Sequence, residues 1–178
     1  MQTLVVMALK VESQGLFEKA GYQVYYCGVG SVKATHNLTK WLHQYKPVRV
    51  LNLGTVGSHK FKPGSLVECT SFVQRQPNDF LKMPNPILKT QALTSLPQAV
   101  CGSGDFVETG VPITPCDVFD MESYALAFTC QKMNTPFHSI KYVTDSSDTN
   151  LVSDWQNNLG KAAETLLQQL GELKLEGQ

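Results

Sequence analysis

The sequence has no excess of charge of either sign. Its 178 residues include 15 Lys and Arg and 15 Asp and Glu, so the formal net charge is zero at pH 7. Proteins that bind nucleic acids usually carry a basic patch, and many membrane-surface proteins carry a polybasic segment. The balanced charge therefore gives no support for a nucleic acid or a membrane as the partner, and it permits association between copies of the chain.

Long apolar runs are also lacking. The first residues, MQTLVVMALKVESQ, hold an apolar run of only a few residues, with no basic leader and no small-residue cleavage site. No segment approaches the roughly 20 apolar residues that a membrane-spanning helix requires. We therefore expect a cytoplasmic protein.

Paired cysteines and metal-ligand spacings are lacking as well. The five cysteines are odd in number and widely spread, and none forms a C-x-x-C pair. We interpret them as free, buried thiols in a reducing compartment. No metal-binding spacing joins the four histidines to the cysteines, so we expect no metal site.

Alternating strand and helix patterns are what the sequence does contain. The predicted strands are TLVVMA, QVYYCGV, VRVLNLG, SLVECTSFV, QAVCGSGDFV and HSIKYVTD. Helical patterns lie between them in SVKATHNLTKWLHQY and MESYALAFTCQKM, and a third helix follows the last strand. This order predicts a single α/β domain over residues 1–178, with a mixed or mostly parallel sheet flanked by helices.

The last helix is the most regular of these patterns. Its apolar residues follow the i, i+3, i+4 rule and are Leu159, Ala162, Ala163, Leu166, Leu167 and Leu170. Ser153 or Asp154 is a candidate for its start, and Gly171 is a candidate for its end. In contrast, residues 75–98 contain four prolines and predict a long loop with at most one short helix.

Polar clusters follow four of the predicted strands. They lie at residues 8–12, 28–30, 52–57 and 144–145. Ligands in open α/β sheets bind beyond the carboxyl ends of the strands, so these clusters are candidate parts of one site. The segment GVGSVKA is compatible with an anion cradle or with a plain strand-to-helix turn, because Lys33 stands where the third glycine of a full motif would be.

The order of the motifs resembles a known superfamily. GVGSVKA, VLNLGTVGS, FKPGSLVE, CGSGDFV and VFDMESYALAFTCQKMNTPFHSIKYVTDSSD follow one another along the chain. The set resembles the nucleoside phosphorylase and nucleosidase superfamily, most closely its 5′-methylthioadenosine/S-adenosylhomocysteine nucleosidase branch. The resemblance implies a nucleoside phosphorylase-like fold and hydrolysis of the N-glycosidic bond of a purine nucleoside to free base and sugar. It also implies that no metal and no organic cofactor takes part.

The resemblance implies two catalytic side chains. Asp145 matches the acid that protonates the departing base, and partial burial at a strand end would raise its pKa for that task. Glu12 matches the acidic residue that positions or activates the attacking water. Without the resemblance, Asp145 would be interpreted as the cap of a turn and Glu12 as a surface residue at the start of a helix.

The resemblance further implies a set of substrate-binding residues, which are Glu122, Met121, Phe106, Val107, Thr55 and Thr144. Glu122 matches the carboxylate that accepts hydrogen bonds from the ribose hydroxyls and stabilises the developing cation. Met121 would pack on the sugar, and Thr55 would line the water and ribose side. Phe106 and Val107 match the segment that holds the base, although Phe106 also fits a plain core position.

The molecule that takes up the sugar when the glycosidic bond breaks is either water or phosphate. In VLNLGTVG, Asn52 occupies the place where phosphorylase relatives tend to carry an arginine, and a bidentate arginine suits phosphate. The Asn form resembles the hydrolytic branch and favours water, while Lys33 and Arg49 remain available for phosphate.

The sequence departs from the nucleosidase pattern at several positions. Acidic residues are usual where Lys10 and Val11 stand, and an arginine is common at Lys141. Thr144 replaces a usual serine but keeps a hydroxyl that would orient the neighbouring aspartate. The region 74–98 is shorter than in typical relatives, which implies changed substrate choice, a site completed by a partner subunit, or lost catalysis.

Three alternatives to the nucleosidase hypothesis stay open at this stage. They are a futalosine hydrolase, a phosphate-dependent purine nucleoside phosphorylase, and a non-catalytic relative that binds a nucleoside. Because the relatives are oligomers, we expect a homodimer or a higher homo-oligomer.

Overall fold

The computed structural model describes residues 2–75, 86–148 and 150–173. Its strands are β1 (Thr3–Met7), β2 (Val24–Tyr26), β3 (Arg49–Ser58), β4 (Leu66–Gln74), β5 (Leu88–Lys89), β6 (Gln98–Ser103), β7 (Val118–Asp120) and β8 (Phe137–Asp145). Its helices are α1 (Lys10–Ser13), α2 (Leu16–Lys19), α3 (Ser31–Tyr45), α4 (Ser123–Lys132) and α5 (Leu151–Glu172).

All six predicted strands and the three predicted helices are present, and the sequence patterns missed four short elements. Strands β5 and β7 have two and three residues, and helices α1 and α2 have four residues each. Elements of this length are too short to show a hydrophobic period. Of the loop predicted over residues 75–98, residues 76–85 lie outside the described part of the chain. Residues 86–97 contain β5 and no helix.

The predicted ends of the last helix were wrong. The helix begins at Leu151, because Asn150 accepts hydrogen bonds from the Asp154 N–H and from the Ser153 hydroxyl. Ser153 and Asp154 therefore lie inside the first turn. Gly171 lies within the last turn, where the flanking Leu170 and Leu173 pack against the core and offset the weak helix propensity of glycine.

The strands form one mixed sheet of eight strands. The parallel pairs are β1–β2, β1–β3, β3–β8, β4–β6 and β6–β7. The antiparallel pairs are β3–β7, β4–β5 and β4–β8. The α/β class and the mixed sheet agree with the sequence prediction.

Part of this sheet closes on itself, which the sequence analysis did not predict. Strand β3 pairs with β8, β8 with β4, β4 with β6, β6 with β7, and β7 again with β3, so five strands form a ring. The closure depends on the length of β3: its ten residues pair with β1 and β8, and its last two residues also pair with β7. Where β3 approaches β7, its register with β8 shifts between Val56 and Gly57.

Two apolar clusters cover the sheet and fix the helices. Leu38 of α3 and Leu126 of α4 are fully buried in one cluster, while Phe17 of α2 and Leu166 of α5 are fully buried in the other. Each such side chain stabilises the fold by about 1.5–3 kcal/mol relative to exposure. The packed helices thereby hold the strand ends, and the residues that follow them, in fixed positions.

The five cysteines are free and buried, as the sequence analysis expected. Burial raises the pKa of Cys27 and Cys130 to about 12, so both are protonated at neutral pH. Within the described ranges, no helix has the length and apolar character needed to cross a membrane. The same residues contain no group of three or more potential side-chain metal ligands.

Candidate active site

A cavity of about 380 Å³ opens beside the closed ring of strands. All eight predicted site residues line it, namely Glu12, Thr55, Phe106, Val107, Met121, Glu122, Thr144 and Asp145. They come from five separate stretches of the chain: α1, β3, the segment after β6, the segment after β7, and the end of β8. The structure therefore brings the predicted residues together in one place.

Asp145 lies at the last position of β8, and its side chain is almost buried. The register shift between β3 and β8 pairs Gly57 with Asp145 and leaves Thr144 without a partner on β3. Thr144 Oγ1 then lies 2.8 Å from Asp145 Oδ2, and the Ser147 N–H donates to Asp145 Oδ1 at 3.0 Å. Burial raises the pKa of Asp145, although the hydrogen bonds from Thr144 and Ser147 oppose this effect. The result is a carboxyl group that holds its proton at a higher pH than an exposed aspartate does.

The residue opposite Asp145 has to be a glycine. A Cβ atom at Gly57 would lie 2.7 Å from Ser147 Oγ and 2.8 Å from Asp145 Oδ1. Real Cβ atoms do not approach other atoms this closely, so any side chain at this position would displace the carboxyl group. Gly57 of the VLNLGTVGS motif therefore makes room for Asp145.

Glu12 is buried beneath the cavity and accepts three hydrogen bonds. Its Oε1 atom accepts from the Thr55 N–H at 3.1 Å and from Thr55 Oγ1 at 2.9 Å. Its Oε2 atom accepts from the Leu9 N–H at 2.9 Å. Trp155 Nε1 donates to Thr55 Oγ1 at 2.9 Å, and an indole N–H is only a donor. The one proton of the Thr55 hydroxyl is thus directed to Glu12.

Glu122 lies two residues after the end of β7, directly before α4, and is 6% exposed. The Gly30 N–H at the start of α3 donates to Glu122 Oε1 at 2.9 Å. Burial, and then the nearby Asp120 carboxylate, raise the pKa of Glu122 to about 8, although the Gly30 hydrogen bond lowers it. The other carboxylate oxygen of Glu122, Oε2, accepts no hydrogen bond from the described residues.

A buried ion pair lies under these carboxylates. Lys141 Nζ of β8 is 3.0 Å from Asp120 Oδ2 of β7, and both side chains are 3% exposed. Asp120 also accepts a hydrogen bond from Ser103 Oγ at 2.6 Å and another from Ser123 Oγ. Burial raises the pKa of Asp120, but the nearby Lys141 and these hydroxyl groups outweigh burial and lower it. Lys141 therefore provides the positive charge below the cavity where an arginine was expected from the resemblance.

The predicted base-binding residues lie at the mouth of the cavity. Val107 is 63% exposed, and Phe106 is partly buried. The Phe106 ring lies 4.5 Å, centroid to Cζ, from the guanidinium group of Arg75. Phe106 is thus a wall of the cavity and not part of either apolar cluster.

The start of α3, in the GVGSVKA segment, is occupied by the protein's own carboxylates. Gly30 N–H donates to Glu122, the Ser31 N–H donates to Asp105 Oδ1 at 2.7 Å, and Ser31 Oγ donates to Asp105 Oδ2 at 2.6 Å. The N-terminus of a helix favours negative charge. Here the start of α3 binds the carboxylates of Glu122 and Asp105. The GVGSVKA segment therefore holds side chains of the protein where an anion from solution was considered.

The residues considered for phosphate lie away from the cavity. Asn52 is buried under β1, where its amide donates to the Val6 carbonyl and its Oδ1 accepts from the Ser123 and Ser139 hydroxyls. Neither Asn52, Lys33 nor Arg49 is among the residues that line the cavity.

Arg75 and Trp155 are among the residues of the cavity wall that the sequence patterns did not reveal. Arg75 directly follows β4, and Trp155 lies in the second turn of α5. The contact of Trp155 with Thr55 joins residues 100 positions apart, which no local pattern reveals. For Arg75, a signal was present: an isolated arginine at the end of a predicted buried strand needs acceptors nearby.

No protein-family model matches the sequence. The structure is similar to a solved structure of 5′-methylthioadenosine/S-adenosylhomocysteine nucleosidase from Helicobacter pylori, with a TM-score of 0.84, 20% identity and 97% of each chain covered. It is also similar to futalosine hydrolase from Helicobacter pylori, with a TM-score of 0.83, 20% identity and 97% of each chain covered. A nucleosidase from Colwellia psychrerythraea, solved in complex with adenine, has a TM-score of 0.81 at 20% identity, covering 97% of this chain and 96% of its own. The resemblance seen in the motifs is therefore confirmed at the level of the fold.

Proposed function

We propose that this chain is a purine nucleosidase that hydrolyses an N-glycosidic bond to a free base and a sugar. The observation that carries the proposal is the meeting of Glu12, Glu122 and Asp145 at one cavity, each carboxyl group with different hydrogen-bond partners. The fold shared with solved nucleosidases supports the same activity. The chemistry follows from the three carboxyl groups, and no step in it requires a metal or a cofactor.

Asp145 is proposed as the general acid. As the bond between base and sugar breaks, its electron pair moves to the base, and a proton from Asp145 neutralises the charge that develops there. Thr144 Oγ1 lies 2.8 Å from Asp145 Oδ2 and 3.2 Å from the Val56 carbonyl oxygen. A hydroxyl has one proton, so it satisfies only one of these acceptors while Asp145 is ionised. Protonation of Asp145 lets both hydrogen bonds form, which supports a protonated acid at this position.

Glu12 is proposed as the group that positions the water and takes its proton. The water attacks the anomeric carbon of the sugar, and its released proton passes to the Glu12 carboxylate. One proton has then moved from Asp145 to the base and one from water to Glu12, so the reaction balances. The three hydrogen bonds to Glu12 keep it in the role of an acceptor, and the donor chain from Trp155 through Thr55 fixes its orientation.

Glu122 and Met121 are proposed to hold the sugar. The Gly30 N–H occupies one oxygen of Glu122, which leaves the other for ribose hydroxyls. The positive charge that develops on the sugar favours the ionised form of Glu122, and that carboxylate in turn stabilises the charge. Phe106 and Val107 are proposed to hold the base at the mouth of the cavity.

Water is favoured over phosphate as the acceptor of the sugar, because the groups that could bind a phosphate already have partners in the protein. Arg75 is the cationic side chain among the described residues that line the cavity, and its donors are directed to protein acceptors. The start of α3 is likewise occupied by Glu122 and Asp105. A phosphate dianion would have to displace these contacts.

The substrate is proposed to be an adenosine-type thionucleoside, such as methylthioadenosine or S-adenosylhomocysteine. A second candidate is the substrate of futalosine hydrolase, because the solved structure of that enzyme resembles the chain to the same degree. The two candidates differ in the base and in the 5′ group, not in the bond that is cleaved.

The proposal is tested by incubating the chain with a panel of purine nucleosides, with and without phosphate, and measuring free base. Release without phosphate is expected. Release only with phosphate would make the chain a phosphorylase, and binding without release from any nucleoside would make it a non-catalytic relative.

A further inference from the structure

Arg75 is almost completely buried beside the cavity, although none of the proposed chemical steps uses it. Its guanidinium group and Nε donate to the carbonyl oxygens of Gly102, Gly104, Phe106 and Asp120 and to a carboxylate oxygen of Glu108. The shortest of these contacts, 2.7 Å, is the ion pair between Nη1 and Glu108 Oε2. One side chain thus joins the end of β4 to β6, to β7 and to the segment after β6.

Two of the carbonyl acceptors of Arg75, those of Gly104 and Phe106, lie in a segment without regular secondary structure. Residues 104–117 contain neither helix nor strand, so their carbonyl groups lack the hydrogen bonds of a sheet. Arg75 Nη2 supplies a donor to the Phe106 carbonyl at 3.1 Å and to the Asp120 carbonyl at 3.1 Å. The planar fork of arginine suits several fixed acceptors at once, which the single ammonium of lysine does not.

Arg75 also supports the side chain of Phe106. Its Cζ atom lies 4.5 Å from the centroid of the Phe106 ring and 5.7 Å from that of Phe119. The stem of Arg75 passes so close to Gly102 that a Cβ there would lie 2.8 Å from its Cγ. Gly102, the first glycine of the CGSGDFV motif, therefore leaves the space that the side chain of Arg75 occupies.

We propose that Arg75 is a positioning residue that holds Phe106 and the backbone of residues 104–108 in the geometry that binds the base. This inference rests on the proposed function, because it assigns the base to Phe106 and Val107. Arg75 acts through Phe106 and not by contact with the reacting atoms. Its removal should weaken binding of the base more than it slows the chemical step.

The test is the variant Arg75→Lys, which keeps a positive charge and loses the fork. We expect KM for the cleaved nucleoside to rise at least about tenfold, because hydrogen bonds to charged groups are lost, while kcat changes less than about threefold. Binding of adenine is measured separately by the fluorescence of Trp155, which lines the cavity, in a Trp41→Phe background that removes the other tryptophan. The dissociation constant for adenine should rise by a similar factor.

A double-mutant cycle with Phe106→Leu separates positioning from general stability. If Arg75 acts through Phe106, then Arg75→Lys should weaken adenine binding much less in the Phe106→Leu background than in the wild type. Equal effects in both backgrounds would overturn the inference. Lys60→Gln serves as the control. Lys60 forms an exposed ion pair with Asp117, the residue before β7, so this variant should leave KM unchanged.

A second variant keeps the inference testable if Arg75→Lys does not fold. Glu108→Gln removes the charge from the ion pair while Arg75, Phe106 and the carbonyl contacts stay in place. It should raise KM several-fold, and an unchanged KM together with an unchanged adenine affinity would overturn the inference. A wild-type chain that neither binds adenine nor releases a base would instead overturn the proposed function itself.

Discussion

Burial affects the carboxyl groups of this cavity differently, because each has different neighbours. Asp145 and Glu122 have raised pKa values, since their hydrogen bonds do not outweigh burial. Asp120 is buried as deeply, but the adjacent Lys141 and two hydroxyl groups lower its pKa. The sequence DMES places Asp120 and Glu122 two residues apart, and the structure gives them opposite shifts. The pKa values of Asp120 and Glu122 are thus shifted in opposite directions by their different surroundings, because Lys141 of a distant strand lies next to Asp120.

We predict that Asp145→Asn abolishes most of the base release while the fold is retained. Asparagine has a similar shape but no acidic proton for the departing base, and loss of general acid catalysis costs about 10²- to 10⁴-fold in rate. The rate of base release under saturating nucleoside is the measurement. Asp148→Asn is the matched control, because Asp148 is exposed in the same TDSSD motif. Near-normal turnover of Asp145→Asn would remove this residue from the mechanism.

We predict that Glu122→Gln changes how stability depends on pH. The pKa of Glu122 rises from 4.5 to about 8 on folding, so between these values the folded chain keeps a proton that the unfolded chain releases. The contribution of this group to stability is present below pH 4.5 and is lost as the pH rises through 8. The free energy of unfolding of Glu122→Gln, relative to the wild type, should therefore increase from pH 5 to pH 8.

Denaturant unfolding at both pH values provides the measurement for this prediction. Glu172→Gln is the control, because it makes the same change at an exposed position near the end of α5, outside the cavity. A constant difference between Glu122→Gln and the wild type at the two pH values would contradict the prediction.

The site residues that the sequence revealed are those in local motifs. Glu12 follows the first predicted strand, Asp145 ends the last one, and Glu122 lies in the DMES motif, so the resemblance of an ordered set of short motifs was enough to select them. Arg75 and Trp155 belong to no such motif, and their importance depends on partners 27 to 45 and 100 residues away. The Arg75 contacts follow from the closure of the sheet, and the Trp155 contact follows from the packing of α5 against β3; the sequence patterns showed neither.

At the level of elements, β8 contributes the proposed general acid and the lysine of the buried ion pair. It pairs with β3 on one side and with β4 on the other, and it delivers Lys141 below the cavity and Asp145 to its wall. Its hydrophobic run predicted the strand. The run is nearly continuous because both faces of β8 are covered, with Val143 in one apolar cluster and Ile140 and Tyr142 in the other. The charge of Lys141 within that run is compensated by Asp120 of β7, an element too short to predict.

We predict that Lys141→Met strongly destabilises the fold. The substitution leaves the Asp120 carboxylate buried without its cation, and breaking a buried ion pair in this way costs about 3–5 kcal/mol. Urea unfolding provides the measurement. Lys60→Met breaks the exposed pair with Asp117 and should cost no more than about 1 kcal/mol. Equal effects of the two variants would show that burial of the Lys141 pair is not important.

At the level of the whole molecule, several apolar side chains at the cavity and in the segment after β6 are exposed. Val107 and Val152 line the cavity and are 63% and 59% exposed, and Val111 and Ile113 nearby in sequence are 78% and 71% exposed. Exposed apolar groups of this kind are typical of protein interfaces. We propose that residues 1–178 form one domain and that two or more copies associate.

We predict a homodimer or a higher homo-oligomer in solution. The expected molar mass is at least twice the 19.7 kDa of the chain, measured by light scattering or sedimentation at several concentrations. The specific rate of base release should fall on dilution if a partner completes the mouth of the cavity. A monomer at all concentrations with undiminished activity would contradict both expectations.

The closed ring of strands also has a consequence for how the chain folds during synthesis. Strand β3 is made early, yet it needs β7 and β8, which begin at Val118 and Phe137, to complete its pairing. Pairing between such distant segments is slow, because a long loop must close before the contact is gained. A nascent chain that ends before residue 118 would present unpaired edges on β3 and β6. We therefore expect the ribosome to release most of the polypeptide, through β8, before the closed ring as a whole is protected from proteases.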